Sequence, residues 1–358
     1  MCTNYSRDSY IAIEQYFGGI DLEIQELKEI VNKNYSLCIN NLIKIKNVYR
    51  IETEDNIYCL KLVNYELKHF MFILGAIKHL QSNGFQSIPK IIETVDNKEF
   101  ITLQNKYAYL TFWVVDAREC DYDNPVEIKL CTAKLAQLHK KSVNFKVTPE
   151  MKPRIAWLKW IETFRTRENE ILDFKRRISE KQCITEFDSN YLSIMECELA
   201  RGNKSIQNLC ESKYVSKMKE EIKHRGFCHH DYAHHNVLLD KSGGVNVIDF
   251  DYCILDTHLH DLSSLLIRRM KNGKWNLKNT LFIMDEYDDT FPIYKSDIEV
   301  MSAFMEFPQE YWQIGIQYYW EKKNWGEEFF LKKLEKMNED KGDKQILVDK
   351  FRKIKYGR

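Results

Sequence analysis

An aspartate, an asparagine five residues on and a second aspartate thirteen residues beyond that carry the most chemistry in this chain: Asp231, Asn236 and Asp249. They stand in Cys228-His229-His230-Asp231-Tyr232-Ala233-His234-His235-Asn236-Val237-Leu238-Leu239 and in Val245-Asn246-Val247-Ile248-Asp249-Phe250-Asp251. Phosphoryl transfer needs one carboxylate to orient or deprotonate an acceptor hydroxyl. It also needs an amide and a second carboxylate to hold the magnesium that bridges ATP phosphates. Two short apolar strands separated by Gly243-Gly244 read as a hairpin. A hairpin sets its two ends side by side, so Asn236 and Asp249 are expected to meet. Magnesium takes oxygen ligands and fills its shell with water and phosphate oxygens, which suits this pair. Asp231 then faces the acceptor.

His229, His230, His234 and His235 raise a zinc alternative, because imidazoles at this density bind that metal. Consecutive residues of an extended chain point to opposite faces, and no cysteine pair completes a site, so zinc ranks below magnesium. His229 is expected to orient the segment through backbone carbonyls.

The elements that must hold these groups are legible in outline. Residues 48–53 and 57–63 flank Glu54-Asp55-Asn56 as a β-hairpin. Phe70, Ile73, Leu74, Ile77 and Leu80 recur at helical spacing, and Gly84 ends that helix. Residues 88–92, 100–103 and 107–115 read as further strands, so the first third predicts a small α+β lobe on an antiparallel sheet. After Asp121 the pattern turns helical: Val126 to Ser142, with Leu130, Leu135 and Leu138 inward, then Ile155 to Ile178, with Trp157, Trp160, Ile161, Phe164, Ile171 and Phe174. Arg165, Arg167, Lys175, Arg176 and Arg177 read as a solvated face of the latter, and helical signals run from Asp261 to the end.

Bulk properties narrow the class. Fifty-three basic residues balance 53 acidic ones over 358 residues, so nothing steers the chain toward nucleic acid or an acidic membrane. Ten scattered cysteines without a Cys-x-x-Cys pair read as buried free thiols of a reducing compartment. Polar residues follow Met1-Cys2, and apolar stretches such as 70–77 are far shorter than a bilayer span, so synthesis in the cytoplasm is expected.

His229-x-Asp231-x-x-x-x-Asn236 followed by Ile248-Asp249-Phe250-Asp251 resembles the aminoglycoside phosphotransferase and choline kinase-like superfamily, and more closely its CotS-type spore coat branch. Further likeness lies in residues 117–124, in Leu135-Ala136-Gln137-Leu138-His139, in residues 249–266 and in Phe307-Pro308-Gln309-Glu310-Tyr311-Trp312. It runs from about Val48 to Trp325. The resemblance implies an α+β, bilobal protein-kinase-like fold, with a small antiparallel-sheet lobe over residues 1–115 for nucleotide. A larger, mostly helical lobe over 116–358 carries catalysis and substrate. Asp231 then matches the catalytic aspartate, with His229 and Asp261 supporting it, the latter bracing the catalytic segment and capping the next helix. Asn236 and Asp249 match the metal ligands, and Asp251 stands between a second metal role and a structural hydrogen bond. Lys61 matches the phosphate-gripping lysine, and Trp113 to Val115 the backbone that contacts adenine. ATP and magnesium are the implied cofactors, and a small hydroxyl- or amine-bearing molecule is the implied acceptor. Other coat proteins are implied partners, with deposition in the spore coat.

Three features depart from that pattern. No Gly-x-Gly-x-x-Gly precedes Lys61, where the turn is the acidic Glu54-Asp55-Asn56. The helix after Lys61 lacks a central glutamate; its nearest carboxylate is Glu66, about two turns early. Phe250-Asp251 stands where a glycine follows the metal aspartate. A structural coat protein that keeps the kinase-like fold without turnover is therefore the alternative expectation. A protein kinase is disfavoured, since only eleven residues separate Asp249 from Asp261 and no Ala-Pro-Glu occurs. Asp285-Glu286-Tyr287-Asp288-Asp289 reads as a solvated acidic loop.

Overall fold

The computed structural model describes residues 24–356, which form two compact units. One comprises the described residues up to Arg154 together with His229–Ile254; the other comprises Ile155–Cys228 and the residues from Leu255 onward. The chain thus returns to the first unit to deliver the segment from His229 to Asp251.

In the first unit, helix α1 (Ile24–Tyr35) precedes strands β1 (Asn41–Ile45), β2 (Val48–Glu52) and β3 (Ile57–Val63). Helix α2 (Leu67–Ser82) follows, then β4 (Ile91–Ile92), β5 (Ile101–Leu103) and β6 (Lys106–Phe112). The strands make one antiparallel sheet in the order β1-β2-β3-β6-β4, with β5 also on β6. Side chains alternate across it. Leu60 and Leu110 thereby join Leu27, Val31 and Tyr35 of α1 in one apolar cluster. Lys61, one residue on from Leu60, falls on the other face, between Val48 and Tyr109 in register. Helix α2 buries Phe70, Ile73, Leu74, Ile77 and Leu80 as its spacing requires, and stops where Gly84 turns left-handed at φ +82°.

A second antiparallel sheet carries the motif. Strand β7 (Arg118–Glu119) pairs with β8 (Val237–Leu239), which pairs with β9 (Val245–Val247). Asn124 caps helix α3 (Pro125–Ser142), its side chain accepting from the amides of Val126 and Glu127.

The second unit is helical: α4 (Trp160–Ser179), α5 (Glu186–Glu211), α6 (Tyr214–His224), α7 (Leu259–Met270), α8 (Leu277–Asp288), α9 (Lys295–Glu306), α10 (Gln309–Gly315) and α11 (Glu327–Lys353). Its core is aromatic. Tyr191 and Tyr311 stack at 4.2 Å between centroids, and each hydroxyl donates to the other's carbonyl, at 3.2 and 2.9 Å.

Several expectations need correcting. The long helix begins at Trp160, not at Ile155, because Ile155 and Ala156 bridge to Leu255 and Leu158 adopts φ 64°. Trp157 therefore lies off the helix. Arg167 is buried over the Trp312 ring and donates to Gln309 at 2.5 Å, so it leaves the solvated face. Leu130 faces solvent at 40 % exposure while Ile128 and Cys131 turn inward. Residues 285–288 finish helix α8, with Tyr287 fully buried, instead of forming a loop. Cys38, Cys183, Cys197 and Cys210 are exposed, although the described cysteines are free as expected. Helix α1 and strand β1 escaped the sequence reading. Among the described residues, no helix is long and apolar enough to cross a membrane.

Gly315 tests the aromatic core. A Cβ there would run into the Tyr191 hydroxyl and the Phe174 ring. A Gly→Ala change in an unhindered helix gains about 0.8–1 kcal/mol, whereas overpacking a core costs about 1–3 kcal/mol. Gly315→Ala should lower the urea midpoint, while Gly342→Ala in α11, where a Cβ meets nothing, should raise it.

Candidate functional site

The register of β8 and β9 places Val237 opposite Val247, and the amide of Ile248 donates to the carbonyl of Asn236 at 3.0 Å. The backbones that carry Asn236 and Asp249 are therefore adjacent. The Asn236 side chain commits its Nδ2 to Asp231, donating to the carbonyl oxygen and to Oδ2, both at 3.0 Å. That orientation leaves Oδ1 as the group Asn236 can offer to a cation. Asp231 keeps a partly open carboxylate, 26 % exposed, with His235 Nε2 3.9 Å away.

His229 is buried and uses both ring nitrogens. Nε2 donates to the carbonyl of Ile248 at 3.0 Å, and Nδ1 accepts from the amide of Asp231 at 3.3 Å. This ties the start of the segment to the end of β9, as expected, and removes His229 from any zinc set. The next residue, His230, adopts φ 69°, which turns the chain toward Asp231. Beneath the segment, Tyr232 donates its hydroxyl to the carbonyl of Cys131 at 2.8 Å, and Tyr122 donates to the carbonyl of Tyr232 at 3.1 Å.

Lys61 joins this set from β3. Its Nζ lies 2.7 Å from Asp249 Oδ1 and 2.7 Å from Asp251 Oδ1. Tyr65 donates to the other oxygen of Asp251 at 2.9 Å. Burial opposes the ammonium charge, but Asp251, Tyr109 and Asp249 hold Lys61 well above the usual lysine range. Burial, with Asp249 adding to it, pushes the Asp251 carboxyl up. Burial also works against Asp249, yet the Lys61 charge and hydrogen bond, with His229, hold it low. One cation thus answers two carboxylates, and Asp249 keeps the charge. Asp251 Oδ1 is met by the Lys61 ammonium at 2.7 Å. Three oxygen-bearing side chains, Asn236, Asp249 and Asp251, match the donor set a hard divalent cation takes.

Asp249 itself adopts φ 65° and ψ 70°. A non-glycine residue there stores strain, which the surrounding bonds must hold. Arg154 supplies one, donating to the carbonyl of Asp251 at 2.6 Å. Glu66, the nearest helix carboxylate by sequence, pairs instead with Lys152 at 2.8 Å on the surface. Trp113 closes strand β6 by donating to the carbonyl of Ile57 at 2.9 Å, while Val115 is 51 % exposed.

Asp261 lies in the helical unit. It is buried in the first turn of α7, where a carboxylate favours the helix N-terminus, but the N-cap residue is His258. Its expected capping role is therefore corrected to a place inside the turn. It adds to the burial that pushes the Cys228 thiol well up. Sequence reasoning missed Tyr65, Tyr109 and Arg154, which no spacing rule singles out. It also missed Asp256 in the helical unit, whose carboxyl burial lifts to about 6 while it accepts from Trp160 Nε1 at 2.9 Å.

The family described as "Spore coat putative kinase YutH" matches residues 28–351. Spore coat protein S of Bacillus subtilis is 25 % identical over 316 residues, 87 % of this chain and 89 % of that protein. Among solved structures, an aminoglycoside phosphotransferase from Alicyclobacillus acidocaldarius superposes with a TM-score of 0.78 at 19 % identity, over 90 % of this chain and 95 % of that one. Spectinomycin phosphotransferase APH(9)-Ia, in complex with ADP and spectinomycin, gives 0.64 at 17 % identity, over 93 % and 100 %. These likenesses establish an α+β, protein-kinase-like fold.

Lys61→Met removes the one cation from this group. Breaking a buried pair costs about 3–5 kcal/mol, and the 32 % exposure of Asp249 puts the loss at the low end. Asp249 is depressed in the folded state, so its contribution is present above the ordinary aspartate value and is lost as pH falls through the depressed one. Urea denaturation should therefore show a large gap between Lys61→Met and wild type at neutral pH. The gap should narrow once pH drops below about 4.

Proposed function

The chain belongs to the spore coat family whose model spans residues 28–351, and on that premise we propose that it is an ATP- and magnesium-dependent phosphotransferase for a small hydroxyl- or amine-bearing acceptor. The observation that carries this reading is one connected set within a single compact unit. Lys61 is paired to Asp249, Asp249 follows the strand end bonded to Asn236, and Asn236 holds Asp231.

In this proposal residues 1–115 serve the nucleotide and 116–358 serve catalysis and acceptor. Lys61 grips the α- and β-phosphates. Trp113 and Val115 contact adenine, and the Val115 amide carries no hydrogen bond among the described residues to compete with that. Asn236, Asp249 and Asp251 hold magnesium, which supplies charge neutralisation for the phosphates when bound. Asp231 orients the acceptor hydroxyl and takes its proton, and His229 positions Asp231 through the bond to its amide. Asp261 keeps its proposed catalytic place from its position in the sequence. Phosphoryl transfer depends mainly on placement and charge, so a set already held by hydrogen bonds needs little reorganisation. The phosphotransferase likeness and the short stretch between Asp249 and Asp261 support this acceptor class. The family supports deposition in the spore coat after synthesis in the cytoplasm, and other coat proteins are its proposed partners.

A ligand at a hundred times its dissociation constant stabilises by about 2.7 kcal/mol, a clear rise in thermal midpoint. Wild type and Asp231→Asn should both show that rise with magnesium and ATP. Lys61→Met should lose it. In a screen of small hydroxyl and amine acceptors, Asp231→Asn should be slower by about 10²–10⁴-fold. Absence of any thermal rise with ATP and magnesium or manganese would sink the enzyme reading. What remains then is a coat scaffold that keeps the kinase-like fold, a reading favoured by the closed Lys61 contacts to Asp249 and Asp251.

A further inference from the structure

We propose that Cys120 and Cys131 are a covalent modification site, a thiol pair that a peroxide converts to a disulfide beneath the segment bearing Asp231 and Asn236. Their sulfurs lie 2.7 Å apart, and both residues are buried, at 2 % and 0 % exposure. A disulfide needs roughly 2.05 Å, so the two sulfurs have about 0.65 Å left to close. Cys120 follows strand β7 directly, and Cys131 sits two turns into α3, so the bond would fasten strand to helix across an intervening capped turn.

The pair is placed to affect the motif. The amide of Cys120 donates to the carbonyl of Val237 at 2.9 Å, just after Asn236. The carbonyl of Cys131 accepts from Tyr232, just after Asp231, at 2.8 Å. Both ends of the segment therefore hang on residues the disulfide would join. The exposed cysteines, Cys38, Cys183, Cys197 and Cys210, have no comparable sulfur neighbour among the described residues.

The step balances with hydrogen peroxide as oxidant. The Cys120 thiol attacks one peroxide oxygen, the O–O bond breaks, and a sulfenic acid and one water result. The Cys131 sulfur then attacks that sulfenic sulfur, the S–S bond forms, and the hydroxyl leaves as a second water with the Cys131 proton. Two thiols lose two hydrogens and two electrons, and the peroxide gains them. Contact with Cys120 and burial push the Cys131 thiol up, so little thiolate is present and the reaction is slow at neutral pH. The proposal stands whether or not the protein transfers phosphate.

The test uses the full chain, fully reduced, then exposed to hydrogen peroxide, trapped with N-ethylmaleimide in denaturant and digested with trypsin. Lys129 separates the two cysteines, so the cross-link joins peptide 119–129 to peptide 130–134 and lacks the mass of two hydrogens. The expected result is that cross-link in monomeric protein, with slower amide exchange over residues 229–239 in oxidised than in reduced wild type. Cys131→Ser should abolish both changes. Should that variant fail to fold, the comparison of reduced and oxidised wild type decides alone. Recovery of Cys120 and Cys131 as alkylated thiols while the exposed cysteines oxidise would overturn the site. Unchanged exchange over 229–239 despite the cross-link would overturn its coupling to the motif.

Discussion

A single buried ammonium organises the sheet-bearing unit. Lys61 has 6 % exposure, and a charge taken that far from water persists only where opposite charge meets it directly. Asp249 and Asp251 do so at equal distance, and their unequal surroundings then separate them. Asp251 is enclosed, so burial and the neighbouring Asp249 charge raise its carboxyl even though the Tyr65 hydroxyl it receives works the other way. Asp249 is more open and receives the Lys61 hydrogen bond, so it keeps its charge. The left-handed backbone at Asp249 is what aims both carboxylates at one ammonium, and the Arg154 contact to the Asp251 carbonyl helps hold that turn.

The opposite side of the same unit explains why Lys61 can be there at all. Alternation along β3 sends Leu60 into the apolar cluster with α1 and turns Lys61 to the other face. A one-residue slip would put the ammonium among Leu27, Val31 and Leu110. The cluster therefore fixes the register that delivers the charge. The motif segment is fixed in a similar way from below. His229, Tyr232 and Asn236 each give a side-chain bond to a backbone carbonyl, at Ile248, Cys131 and Asp231. A chain with few prolines and glycines gains its rigidity here from polar side chains instead.

The helical unit keeps its own buried charges, with Lys217 set 3.0 Å from Asp297 and 3.5 Å from Glu221, and His258 3.2 Å from Glu221. Burial works against ionisation of Glu221, but His258 and Lys217 hold its carboxyl low, near 2. Its aromatic core, from Phe174 to Tyr319, packs around Gly315, where a side chain has no room.

The sequence by itself determined the local features: the period-two strands of the hairpin, the helical spacing from Phe70 to Leu80, and the adjacency of Asn236 and Asp249. Each rests on contacts between residues near in sequence, or on one turn, so spacing alone suffices. It also exposed the absent helix glutamate. Only the tertiary structure decided what replaced that glutamate, because the partners of Lys61 lie 188 and 190 positions away and pairing at that range leaves no period to read. The same holds for Tyr65 against Asp251 and for the Cys120–Cys131 contact beneath Tyr232. It holds for the start of α4 as well, where a bridge to distant Leu255 overrode an apolar pattern that continued to Ile155.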